Sequence, residues 1–192
     1  MVGEFPELQG LMGAKYLLEE GESREVAQAV FEHYLPRGAG DVLPQSDAGA
    51  VVALAERLEL LLSIFAKGER PSGSSDPYAL RRAGNGLLQI LWERGWRLDL
   101  FRLVSEAAEA WQQRFPAFKV KAQALADDLL LLLRQRIQSQ LEDDGQAPDL
   151  VQAVAGDGLS CQRLLGDPLD VLDRLGLLSR LRQENRLGAL QA

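Results

Sequence analysis

The chain has 192 residues, 46% of them hydrophobic and 26% charged, with 28 acidic against 21 basic side chains and a formal net charge of -7. One cysteine, Cys161, and one histidine, His33, exclude an intramolecular disulfide and every Cys/His zinc scheme, because a structural site takes four such ligands and a catalytic one usually three. The acidic balance also argues against nucleic-acid binding spread over the whole surface and leaves room only for a local basic patch.

No stretch combines a basic start, an apolar run and a small-residue cleavage site, and no apolar run approaches the roughly 20 residues that span a bilayer. A cytoplasmic chain without membrane contact is expected. Lys15, Lys67, Lys119 and Lys121 are the only lysines. The remaining basic residues are arginines, whose planar fork suits fixed contacts to phosphates and carboxylates.

Apolar residues recur at spacings of three and four with almost no strand-like alternation, which predicts an all-α fold. In the first segment Leu8, Met12 and Tyr16 share a stripe, and Gly10, Gly13, Ala14 and Leu17 form an adjoining one whose small residues admit a close neighbour. Ser23 is a candidate cap for a second helix with Val26, Val30 and Tyr34 spaced by four, ended by Pro36, Gly38 and Gly40. After a long loop, Ser46 or Asp47 opens an apolar helix that turns Leu54, Leu58, Leu61, Leu62 and Phe65 inward and stops at Gly68. A polar loop over 67–75 leads to Asp76-Pro77, where the aspartate is expected to cap a helix and the proline to occupy its first turn. That helix carries Leu80, Leu87 and Leu91.

Beyond Gly95, Asp99 is expected to cap a helix with Phe101, Val104, Ala108 and Trp111 inward, ending before Pro116. A long Leu-rich helix is predicted over about 119–142, closed by Asp143-Asp144-Gly145, with shorter ones at 149–154, at 161–165 and from Asp167-Pro168 onward. The Phe115-Pro116 break is the expected internal boundary. It divides the chain into regions 1–116 and 117–192.

Few residues point to catalysis. Nucleophilic chemistry needs a base, and His33, near a helix end, reads as a helix-terminal histidine. Gly38-Ala39-Gly40 and Ser72-Gly73-Ser74 lack the Lys-Ser/Thr pair of a nucleotide P-loop and read as turns. The carboxylate pairs Asp127/Asp128, Asp143/Asp144 and Glu56/Glu59 project in different directions from a helix and read as solvated faces. Trp92, Trp96, Trp111 and Phe101 are spaced as core residues. The most informative polar cluster is Arg37, Lys67, Arg70, Arg81 and Arg82, five basic residues near helix ends. Contact with an RNA backbone is one reading. Internal ion pairing with Asp41, Asp76 and Glu69 is the other.

Four phrases, taken in order, carry a resemblance: Gly3-Glu4-Phe5-Pro6-Glu7-Leu8-Gln9-Gly10 with Met12-Gly13; Glu32-His33-Tyr34-Leu35-Pro36-Arg37; Ala50-Val51-Val52-Ala53-Leu54-Ala55; and Pro71-Ser72-Gly73-Ser74 with Asp76-Pro77-Tyr78-Ala79-Leu80-Arg81-Arg82. Asp149-Leu150-Val151-Gln152-Ala153-Val154 and Asp167-Pro168-Leu169-Asp170 extend it more loosely. At these spacings the chain resembles the beta subunit of bacterial heterotetrameric glycyl-tRNA synthetase, of which it would be an internal fragment. The resemblance implies a degenerate HD-like helical domain over 1–116, followed by a helical region leading towards an anticodon-binding domain. It also implies a role in binding glycine tRNA, for which the basic residues Arg37, Lys67, Arg70, Arg81 and Arg82 are the candidates, in partnership with the alpha subunit that holds the active site. The whole enzyme uses ATP and Mg, and no cofactor, metal or catalytic residue is expected in this fragment. An HD-type metal site would need several histidines. The family's Ala-Asp-Lys-Leu-Asp stretch reads Ala55-Glu56-Arg57-Leu58-Glu59 here, which removes both aspartates. A scaffold for subunit or domain docking is the alternative, and a metal phosphohydrolase a more distant one.

Overall fold

The computed structural model describes residues 4–5 and 8–186. Gly3, Pro6 and Glu7 of the first phrase, and residues 187–192 of the second region, lie outside the described residues. Nine α-helices run through the described residues: α1 Leu11–Glu19, α2 Arg24–Glu32, α3 Asp47–Ala66, α4 Leu80–Arg94, α5 Leu100–Arg114, α6 Ala122–Asp143, α7 Pro148–Ala155, α8 Cys161–Leu165 and α9 Pro168–Gln183. The only β pairing among those residues is an isolated bridge between Ser72 and Ser75. The fold is all-α.

Helix starts follow local chemistry. The hydroxyls of Ser23, Ser46 and Ser160 and the carboxylates of Asp99 and Asp167 accept hydrogen bonds from free amides in the first turns of α2, α3, α8, α5 and α9. Two expected starts are displaced. Asp76-Pro77 lies in a tight turn, Ala79 takes a left-handed φ of 54°, and α4 begins at Leu80. The Asp76 carboxylate nevertheless reaches the α4 amides, accepting from Leu80 N at 2.8 Å and Arg81 N at 2.9 Å. Lys119 ends a 3-10 turn over Pro116–Phe118 with a φ of 53°, so α6 starts at Ala122.

α1 and α2 form a close pair. A Cβ added at Gly10 would lie 2.6 Å from Phe31 O, and one at Gly13 would lie 3.0 Å from a Val30 methyl, so the small stripe does admit its neighbour. Ala14 and Ala27 are buried at this end, whereas Tyr16 and Val26 are exposed. The main core lies between α3, α4, α5 and α6, with α7 to α9 closing one side. Leu61, Leu87, Leu88, Leu91, Leu100, Leu125, Leu129, Leu133, Ile137 and Leu141 form its fully buried centre. Burying each such side chain contributes about 1.5–3 kcal/mol. These residues come from both sides of the 116/117 junction, and their cluster is continuous across it.

Leu54, Leu58, Trp92, Trp96, Phe101 and Trp111 are partly buried and pack against that core. Trp92 also ties α4 to α9 by donating its indole N–H to Pro168 O at 3.0 Å. Arg97 forks between Asp167 and Asp173 of the same helix end. No described helix is long and apolar enough to cross a membrane.

Candidate nucleic-acid interface

Two buried charges frame the region that carries the basic cluster. Glu32, at the end of α2, is 2% exposed and Arg57, midway along α3, is 5% exposed. A buried charge is tolerated only when hydrogen bonds replace its water, and both are well supplied. Glu32 accepts from Gln28 Nε2 at 2.7 Å, from Gln45 N at 3.1 Å, and from Ser46 N and Oγ at 3.0 and 2.5 Å. Arg57 donates to the carbonyls of Ala53, His33, Tyr34 and Pro36 at 2.9–3.3 Å. The acid at the end of one helix therefore anchors the start of the next, and the arginine of that next helix satisfies the carbonyls where the first one ends.

Burial raises the Glu32 pKa, but the donors from Ser46, Gln28 and the Gln45 amide outweigh it, and the net shift is downward. Burial lowers that of Arg57, with the Glu56 carboxylate 3.8 Å away opposing. The adjoining glycines leave room for these two side chains. A Cβ at Gly49 would lie 2.2 Å from Glu32 Oε2, and one at Gly86 would lie 2.6 Å from Arg57 Nε.

This frame holds the Tyr34–Arg37 segment, with a cis Leu35–Pro36 peptide, beside the start of α4. Arg37 is paired: its Nε and Nη2 meet the two Asp41 oxygens at 2.8 and 3.1 Å. The Arg37 hydrogen bonds hold the Asp41 carboxyl well below the usual carboxylate range. Lys67 donates to the Tyr78 hydroxyl at 3.1 Å and lies 3.8 Å from Glu69. Those contacts, Tyr78 first, raise its pKa.

Arg70 faces elsewhere. Its Nε and Nη2 reach Asp128 of α6 at 3.1 and 2.6 Å, its Nη1 reaches the Phe65 and Glu69 carbonyls, and its guanidinium sits 4.1 Å from the Phe65 ring centroid. Arg81 and Arg82 differ from all three. Neither has a side-chain hydrogen bond or an ion pair with a described residue, because Asp76, the acid nearest in sequence, is engaged by backbone amides.

Arg37, Arg81 and Arg82 meet at two adjoining clefts. The first, ≈ 260 Å³, is lined by Tyr34, Arg37, Glu56, Arg57, Tyr78 and Arg82 among others. The second, ≈ 340 Å³, is lined by Gly38, Asp76, Arg81, Arg82, Asn85 and Gln89. Pro36, Ala79 and Arg82 belong to both. Asn85 Oδ1 is buried without a partner, as is Nε of Arg136 on α6. The Arg136 pKa is lowered by burial and then by the nearby Arg81 charge. Lys67 touches the first cleft only through Tyr78, and Arg70 lines neither. The arrangement offers cations, aromatic rings and amides along one concave path.

Arg57 and Arg136 stand outside the basic cluster that the sequence marks near helix ends. A signal existed for Arg57: it falls in the buried stripe Ala50, Ala53, Arg57, Leu61, Phe65 at spacings of three and four. His33 sits at the end of α2, with Nδ1 2.6 Å from Val30 O. Among the described residues, no group of three His, Cys, Asp or Glu side chains is arranged to hold a metal.

The family described as "Glycyl-tRNA synthetase beta subunit" matches residues 1–156. A glycine-tRNA ligase beta subunit from Acaryochloris marina is 46% identical over 192 residues, covering 99% of this chain and 26% of the relative. One from Trichodesmium erythraeum is 47% identical, with 99% and 26% covered. One from Pseudomonas fluorescens is 48% identical over 145 residues, covering 76% of this chain and 20% of the relative. The chain thus spans about a quarter of the length of the first two. Matched over most of its length by the family and along nearly all of it by these relatives, the chain belongs to the glycyl-tRNA synthetase beta-subunit family.

Proposed function

We propose that this chain is a tRNA-contacting helical region of a glycine-tRNA ligase beta subunit, acting in the cytoplasm within a heterotetramer whose alpha subunit carries the aminoacylation site. The relatives' names supply the enzyme. The observation that carries the tRNA contact is the pair Arg81 and Arg82, adjacent at the start of α4, without acidic partners among the described residues and opening on two joined clefts. Arg37, held by Asp41, and Lys67, held by Tyr78, flank this pair as oriented secondary cations. Arg70 is assigned to the packing of the 67–75 loop against α6 rather than to RNA, because Asp128 and two carbonyls occupy its fork.

ATP and Mg belong, in this reading, to the whole enzyme. The Ser72-Gly73-Ser74 turn is closed by two backbone hydrogen bonds between Ser72 and Ser75 at 3.0 and 2.8 Å.

The test is binding of glycine tRNA to the 192-residue chain across a salt series, with Arg81→Glu and Arg82→Glu beside the parent. Each lost phosphate contact lowers the slope of log affinity against log salt by about 1. Binding that is independent of salt, or unchanged by both reversals, refutes the contact and leaves docking of other parts of the enzyme as the role of this surface.

A further inference from the structure

Resting on that tRNA-contact reading, we propose that the first cleft accepts the base of one unstacked guanosine of an RNA strand, with its phosphate on Arg82 and the next phosphate on Arg81. The cleft volume of ≈ 260 Å³ lies just below the roughly 300–1,000 Å³ of sites that enclose a whole drug-sized ligand, a scale suited to a single base. Tyr34 and Tyr78 supply aromatic surface of the kind on which unstacked bases rest. The Tyr78 hydroxyl is engaged by Lys67, whose ammonium lies 5.3 Å from the ring centroid and adds positive charge at the cleft. Arg82 lines both clefts, so a phosphate bound to it sits between the base site and the Arg81, Asn85 and Gln89 side. Asn85 and Gln89 line that second side and give it neutral polar side chains suited to a ribose hydroxyl.

Glu56 chooses the base. It lines the first cleft and receives no hydrogen bond from a described residue. The nearest cation, Arg57, is 3.8 Å away and directs its fork to four backbone carbonyls. A carboxylate only accepts hydrogen bonds. Guanine places two donors, N1–H and the N2 amino group, side by side on its Watson–Crick edge. Adenine and cytosine set an acceptor beside their one amino donor, and uracil flanks its single donor with two carbonyls. The lone carboxylate of the cleft therefore discriminates for guanine.

The test titrates the 192-residue chain with GMP, AMP, CMP and UMP, following the Tyr34 and Tyr78 ring resonances by NMR, with each tyrosine assigned from its Phe variant. GMP is expected to bind at least about fivefold more tightly than AMP, the low end for a good bidentate contact. Glu56→Gln should abolish that preference, and Arg82→Ala should weaken all four nucleotides alike. The Glu56 side chain is 39% exposed, so the substitution leaves the fold intact, which circular dichroism checks. Equal affinity for GMP and AMP, no ring shift at millimolar GMP, or a preference that survives Glu56→Gln overturns the proposal.

A second arm separates a strand from a free nucleotide. The trinucleotide ApGpA should bind more tightly than GMP because a second phosphate meets Arg81. GMP binding at least as tightly overturns the strand assignment. Salt-dependent tRNA binding without a guanine preference removes this inference alone, whereas a guanine preference without salt-dependent tRNA binding removes the tRNA-contact reading.

Discussion

The molecule uses arginine in two opposite ways within a few residues of one another in space. Arg57 is buried and spends its donors on four backbone carbonyls, while Arg82, on the wall of the same cleft, meets no acid or carbonyl among the described residues. The first arrangement holds a chain segment in place. The second leaves a charge available to something else. Apparent basic clusters divide in this way once hydrogen-bond partners are counted, and net charge alone does not make the division.

The largest effect expected from breaking this contrast is at Arg57. Arg57→Met leaves the buried Pro36 carbonyl and the partly buried His33 and Tyr34 carbonyls without their donor, and should cost about 3–5 kcal/mol in urea unfolding. Next is the acid of the same frame. In Glu32→Gln the new amide points a donor at a cluster of donors, for an expected loss of about 2–3 kcal/mol. Gly49→Ala, which drives a methyl into the Glu32 carboxylate, should cost about 1–3 kcal/mol through overpacking.

The Glu32 shift also sets a pH dependence. Because the folded pKa is depressed, the unfolded chain protonates first as pH falls, so stability is full above the ordinary glutamate value of about 4.3 and is lost as pH drops through the lower folded value. Subtracting the pH profile of Glu32→Gln from that of the parent isolates this contribution. A difference that stays constant down the acid limb contradicts it.

A smaller loss, about 1 kcal/mol, is expected for Arg70→Ala, with the salt dependence of tRNA binding unchanged. The smallest change in stability belongs to Arg81→Glu and Arg82→Glu, within about 0.5 kcal/mol of the parent, although these carry the largest change in RNA affinity. Should Arg82→Glu destabilise the fold as much as Arg57→Met, the distinction between saturated and open arginines fails.

Most of the fold was legible because it depends on short spacings. Ser23, Ser46, Asp99 and Asp167 announce helix starts through bonds to amides three residues ahead, and the Leu positions of α3 and α6 repeat at helical intervals. The exceptions lie where a tight turn intervenes. Asp76 was legible as a cap, but the left-handed Ala79 sets the helix start beyond it.

The site was less legible because its partners are remote. Reading from sequence set Arg70 against nearby acids, yet its carboxylate is Asp128, 58 residues away. Internal pairing holds for Arg37 with Asp41, while the same idea applied to Asp76 fails because α4 amides occupy both its oxygens. Burial of Glu32 depends on Gln45 and Ser46, which are brought to it only once α3 has docked.

The reciprocal anchoring of α2 and α3 bears on how the molecule opens. A connection from 33 to 46, rich in proline and glycine, would ordinarily be the first place for a protease to cut and for amide protons to exchange. Here its two ends are bound by charges whose release exposes the interior of α3. Cleavage within it, and exchange of the Gln45 and Ser46 amides, should therefore track the loss of the whole α2–α3 unit rather than local fraying. Despite its composition, this connection is no hinge.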